Sequence, residues 1–172
     1  MLLSVGSVPV FGLPIRKSHS SRSASDHPWQ KLGADIFHFG GKDYLILVDY
    51  FSKFPEVSQL NGFMATAVIS AMKANFSCHG ILKEVFSDNV PFGRAEIKDF
   101  GHKWGIMFTS SSPTYPQSNG QAERVIQTTK QALQKAHEDG TDTQLAILAY
   151  RNSRISRMTL SSSTIDEQEA KG

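Results

Sequence analysis

Residues 111–130 read SSPTYPQSNGQAERVIQTTK: a loop dense in Ser, Pro, Asn and Gly, then a single acid, Glu123, then a run of Gln, Thr and Lys. The spacing predicts a long helix from about Ser118 to Glu138, with a polar, turn-forming entrance and Glu123 in its first turns. An acid near a helix start often does no more than complement the helix dipole. Its meaning therefore depends on which other acids the rest of the chain can bring to the same place.

The chain has 172 residues, 40% of them hydrophobic, enough for one buried core and one domain. A net charge of +2 permits a nucleic-acid partner without demanding one. Cys78 is the single cysteine, which excludes an internal disulfide or a cysteine-based zinc site and favours a reducing compartment. Near the end of an apolar helix, it is expected to be a small core residue. The opening MLLSVGSVPVFGLP has no basic residue before its apolar run, and Gly and Pro interrupt it. Neither a secretion signal nor a membrane span is expected.

Three segments follow from composition: a flexible leader over 1–27, a folded core over 28–153, and a Ser-rich, charged tail over 154–172 expected to be disordered. Within the core, ADIFHF alternates and Gly40-Gly41 offers a hairpin turn. YLILVDYF is nearly continuous in apolar residues, as in a strand covered on both faces, and FPEVSQL follows as its neighbour. Val68, Ile69, Met72 and Phe76 recur at helical spacing up to Gly80. KEVFSD and IMFTS are short strands flanking a helix with Ile97, Phe100 and Trp104 on one face. TDTQLAILAYRNS predicts a last helix packing Leu145, Leu148 and Ala149. The result is an α/β fold: a mixed five-stranded sheet flanked by helices.

Asp35 lies in an otherwise apolar first strand, and an isolated buried Asp is rare enough to require a charge partner, a cation or an edge position. Asp88 ends the fourth strand, where a turn role is the ordinary reading. If the first and fourth strands are neighbours, Asp35, Asp88 and Glu123 can converge. Oxygen ligands of this kind suit Mg²⁺ or Mn²⁺, and two such ions activate the attacking oxygen and stabilise the leaving one in phosphodiester transfer. Asp49, in the second strand, is a rival that spacing alone does not dismiss. A glycosidase carboxylate pair would explain neither the third acid nor the Pro/Gln/Asn loop.

Taken in order, PWQKLGADIF, KDYLILVDYFSKFPEV, FSDN, SSPTYPQSNGQAERVIQTTK and LAYRNS resemble the integrase catalytic core of gypsy-type retrotransposons, in the retroviral integrase superfamily. The resemblance covers about Pro28 to Ser153. It implies a ribonuclease-H-like fold and an Asp35, Asp88, Glu123 triad holding two Mg²⁺ or Mn²⁺ ions. It also implies DNA-end processing and strand transfer of DNA, a homodimer or larger assembly, and nuclear action. Tyr115, Gln117 and Asn119 are placed by the resemblance on the DNA end. Lys130, two helical turns beyond Glu123, shares its face and is expected to meet a phosphate.

The chain departs from the family after Asp88. It reads DNVPFGRAE where the family has Asp-Asn-Gly-Pro-Gln-Phe, so Val90 stands at a turn glycine and the interval to Glu123 is one residue shorter. A β-branched residue at positive φ would strain the backbone. These departures motivate an alternative: a catalytically silent nucleic-acid- or protein-binding module that retains the fold.

Overall fold

Gly40 and Gly41 adopt φ of 56° and 72°, the left-handed pair that a tight hairpin between twisted strands requires. They fold β1 (Lys31–Phe39) back onto β2 (Lys42–Asp49), with Asp35 opposite Ile46. In this computed structural model the described residues are 25, 27–62, 64–80, 82–88, 90–110 and 116–153, with the backbone alone at 110 and 116–119. The leader and tail expectations lie outside them.

β3 (Pro55–Leu60) completes an antiparallel meander. β4 (Glu84–Ser87) and β5 (Met107–Ser110) then add on the other side of β1, both parallel, giving the order β3-β2-β1-β4-β5. The mixed five-stranded sheet expected from the sequence is what forms. Among the described residues four helices flank it: α1 (Ala65–His79), α2 (Ala95–Trp104), α3 (Pro116–Glu138) and α4 over 143–153. Gly80 and Gly105 end α1 and α2 at φ of 93° and 68°, and the Asp142 carboxylate accepts a 2.8 Å bond from Gln144 N as the cap of α4.

The sheet divides the apolar residues between two cores. On one face Leu32, Ala34, Leu45 and Leu47 pack with Val68, Met72 and Phe76 of α1 and Ile97 and Phe100 of α2. On the other, Ile46 and Val48 pack against Ala122, Val125 and Ile126 of α3 and Tyr150 of α4. The unbroken apolar run of β2 follows: Leu45 to Val48 alternate between two covered faces, and all are fully buried.

Two packing expectations are corrected. Leu145 and Leu148 of α4 are 62% and 49% exposed and Ala149 is exposed, while Ile147 is buried. α4 is apolar on both sides, and the side carrying Ile147 and Tyr150 faces the chain's own core. Cys78 is exposed; the buried ridge of α1 runs Ala65, Val68, Met72, Phe76, and a residue two beyond Phe76 points to the opposite side.

α2 meets β5 closely at Gly101, where a Cβ would lie 2.8 Å from both Ile106 O and Phe108 Cδ2. On an open helix Gly→Ala adds up to about 1 kcal/mol of stability, but overpacking against fixed neighbours costs about 1–3 kcal/mol. Gly101→Ala is therefore expected to lower the unfolding free energy by a net of about 1–2 kcal/mol, read as a lower urea midpoint at unchanged slope; a raised midpoint would contradict this packing.

Candidate active site

The parallel pairing of β1 with β4 sets Ala34 against Ser87. One residue further along each strand come Asp35 and Asp88, side by side at the carboxyl end of β4. Pleat alternation turns Asp35 towards the face that α3 covers. α3 seats Ala122 directly over β1: a Cβ on Gly33 would touch Ala122 Cβ at 3.4 Å. Glu123, next in sequence, therefore comes to the same edge. It is the eighth residue of α3, further into the helix than its first turn.

Asp35, Asp88 and Glu123 line one cleft of about 280 Å³, together with Tyr50, Ser87 and Gln127. Asp88 and Glu123 are exposed and Asp35 is half-buried. The Asp35 carboxylate is committed on both oxygens. Oδ1 accepts the Ile36 amide at 2.7 Å, and Oδ2 receives the Lys130 ammonium at 2.6 Å. Lys130 thus shares the face of Glu123, as its spacing implies, but its partner here is a carboxylate. Its Nζ also lies 5.4 Å from the centre of the Phe37 ring, within cation–π range.

Asp49 belongs to the scaffold. It is fully buried, its Oδ1 accepting Trp29 N at 3.0 Å and Phe51 N at 3.3 Å, its Oδ2 accepting Ser52 N at 2.9 Å and Ser52 Oγ at 2.7 Å. These bonds stabilise the buried charge and tie the segment before β1 to the turn after β2. Val90 is 67% exposed. Tyr115 lies outside the described residues, as do the side chains of Gln117 and Asn119.

Tyr50 is a cleft residue that the sequence reading missed. Its ring packs 5.4 Å from Phe86. Burial, reinforced by the carboxylates of Glu123 and then Glu84, pushes its phenol up to about 12. Strand parity held the signal, since Val48 pairs with Gly33 and Tyr50 sits two residues on, on the same face.

As a donor set, three carboxylates suit a hard divalent cation, and Asp35 already receives a cationic group on Oδ2. Among the described residues no three His, Cys, Asp or Glu side chains are gathered closely enough to hold an ion. The set fits an open site completed by water and substrate phosphate, not one enclosed by protein ligands.

The chain matches no protein-family model. It is 29% identical over 131 residues to the uncharacterized protein K02A2.6 of Caenorhabditis elegans, 73% of this chain and 10% of that protein. It is 28% identical over 117 residues to the transposon Tf2-3 polyprotein of Schizosaccharomyces pombe, 63% of this chain and 9% of the polyprotein. The chain thus spans about a tenth of these relatives. In structure it resembles the catalytic core domain of BIV integrase, with a TM-score of 0.59 at 22% identity over 69% of this chain and 78% of that one. A chain of the simian T-cell lymphotropic virus intasome, in complex with PP2A regulatory subunit B56 gamma, gives 0.60 at 22% identity over 76% and 49%. The fold is that of an integrase catalytic core, ribonuclease-H-like, and the sequence relatives include transposon polyproteins.

The two classes of acid are expected to part on mutation. Asp49→Ala strands several buried donors and should cost about 3 kcal/mol or more in urea unfolding. Asp88→Ala, exposed at a strand end, should stay within about 1 kcal/mol. Equal losses would contradict the assignment of Asp49 to the scaffold and Asp88 to the cleft.

Proposed function

We propose that this chain is the catalytic core of a retroelement integrase, a metal-dependent polynucleotidyl transferase that processes DNA ends and joins them to target DNA. The observation that carries the reading is the meeting of Asp35, Asp88 and Glu123 in one cleft, from two parallel strands and a helix distant in sequence. These residues would hold Mg²⁺ or Mn²⁺, which when bound activates the attacking oxygen and offsets charge on the phosphate. The chain's own part is to orient. Asp35 is fixed by the Ile36 amide and Glu123 by the seating of α3 on Gly33, with Tyr50 lining the same cleft. Tyr115, Gln117 and Asn119 would contact the DNA end, with Lys130 on its backbone.

Action on DNA implies a nuclear setting, and among the described residues no helix is long and apolar enough to cross a membrane. The exposed Leu145 and Leu148 of α4 support self-association, since an isologous pairing of two such faces would cover them. Leu148→Glu is expected to convert a dimer to a monomer in light scattering; an unchanged dimer would exclude this face. One observation favours the alternative, a silent nucleic-acid- or protein-binding module: Lys130 occupies Asp35 Oδ2.

The deciding experiment is cleavage and strand transfer of a labelled duplex in Mn²⁺, comparing the chain with Glu123→Gln. The transferase reading expects a loss on the order of a thousandfold. Equal activity in the two would remove Glu123 from the site, and inactivity of the folded wild-type chain on every duplex would support the silent module.

A further inference from the structure

Lys130 and the proposed metal ion make the same demand on the chain. Asp35 has two oxygens, and Oδ1 is engaged by the Ile36 amide of its own strand. Oδ2 receives the Lys130 ammonium at 2.6 Å. Both partners are sheltered, with side-chain exposures of 23% for Lys130 and 30% for Asp35, so bulk water screens the pair less than an open surface pair. The Phe37 ring adds a second attraction, 5.4 Å from Nζ. The lysine is held across the gap between α3 and β1, beside the cleft that Asp88 and Glu123 line.

From this geometry we infer that Lys130 is an internal latch on Asp35: it competes with a divalent cation for Oδ2, and metal loading frees its ammonium from the carboxylate. The inference rests on the proposed metal site and adds a regulatory contact to it. One ammonium cannot serve both as the intramolecular partner of Asp35 and as an outward-reaching cation. Occupation of Asp35 by metal therefore determines whether Lys130 is available to a phosphate. Because the coupling is a free energy between two binding events, it acts in both directions. Without metal, the latch neutralises a half-buried carboxylate that would otherwise stand uncompensated beside two further acids.

The test uses the 172-residue chain with Mn²⁺ as the probe. Calorimetry compares wild type, Lys130→Met, and Lys135→Met as a control that removes an exposed charge from the same helix. Removing a partly sheltered competitor should tighten Mn²⁺ binding by roughly three- to tenfold, with Lys135→Met within about twofold of wild type. Acetylation of lysines, read by mass spectrometry, gives a second measure whose main comparison uses the wild-type chain alone. Labelling of Lys130 should rise severalfold on Mn²⁺ saturation while Lys135 stays constant, and the rise should vanish in Asp35→Asn. Mn²⁺ binding of equal strength in wild type and Lys130→Met, with constant labelling of Lys130, would overturn the latch and leave the metal site standing. Absence of Mn²⁺ binding in both would remove the metal site and the latch with it.

Discussion

The candidate site depends on the register of one pair of parallel strands. With Ala34 set against Ser87, the next residues of β1 and β4 are both aspartates, and they emerge together where β4 stops pairing. A slip of one residue would turn Asp35 into the face packed by α1 and α2, where an unpaired carboxylate is costly. The apolar pattern of β1 therefore enforces the position of its acid: Leu32 and Ala34 must lie in the first core, so Asp35 must face α3.

Asp35 and Asp49 show two ways of keeping a carboxylate within a largely apolar sheet. Asp49 is fully buried and satisfied by fixed donors, three backbone amides and a hydroxyl. Asp35 has one local donor and one remote cation on a flexible stem, so half of its coordination can be exchanged. The difference is one of chemistry rather than burial alone. Amides of the fixed backbone cannot leave, whereas a lysine side chain can.

Much of this arrangement was legible in the chain itself. The Gly-Gly turn, the doubly covered β2 and the ridge of α1 follow from local pattern, because each is fixed by neighbours a few residues away. The three acids were legible as candidates and, through resemblance, as a set. What escaped was mostly settled by contacts between distant segments. Lys130 could be placed on the Glu123 face by helical period, but its partner Asp35 lies 95 residues away. In α4, a helix with apolar residues on two sides, nothing in the spacing tells Ile147 from Leu145 and Leu148. Tyr50 was hidden for another reason: its neighbour Asp49 drew the attention due to a strand acid, while strand parity puts the two on opposite faces.

The most direct test of the metal-bearing cleft is anomalous scattering from crystals of the chain soaked in Mn²⁺. The account predicts a manganese peak within ligand distance of both Asp35 and Asp88, at the carboxyl end of β4. A folded chain whose Asp35 still binds Lys130, with no manganese in the cleft at saturating Mn²⁺, would contradict it.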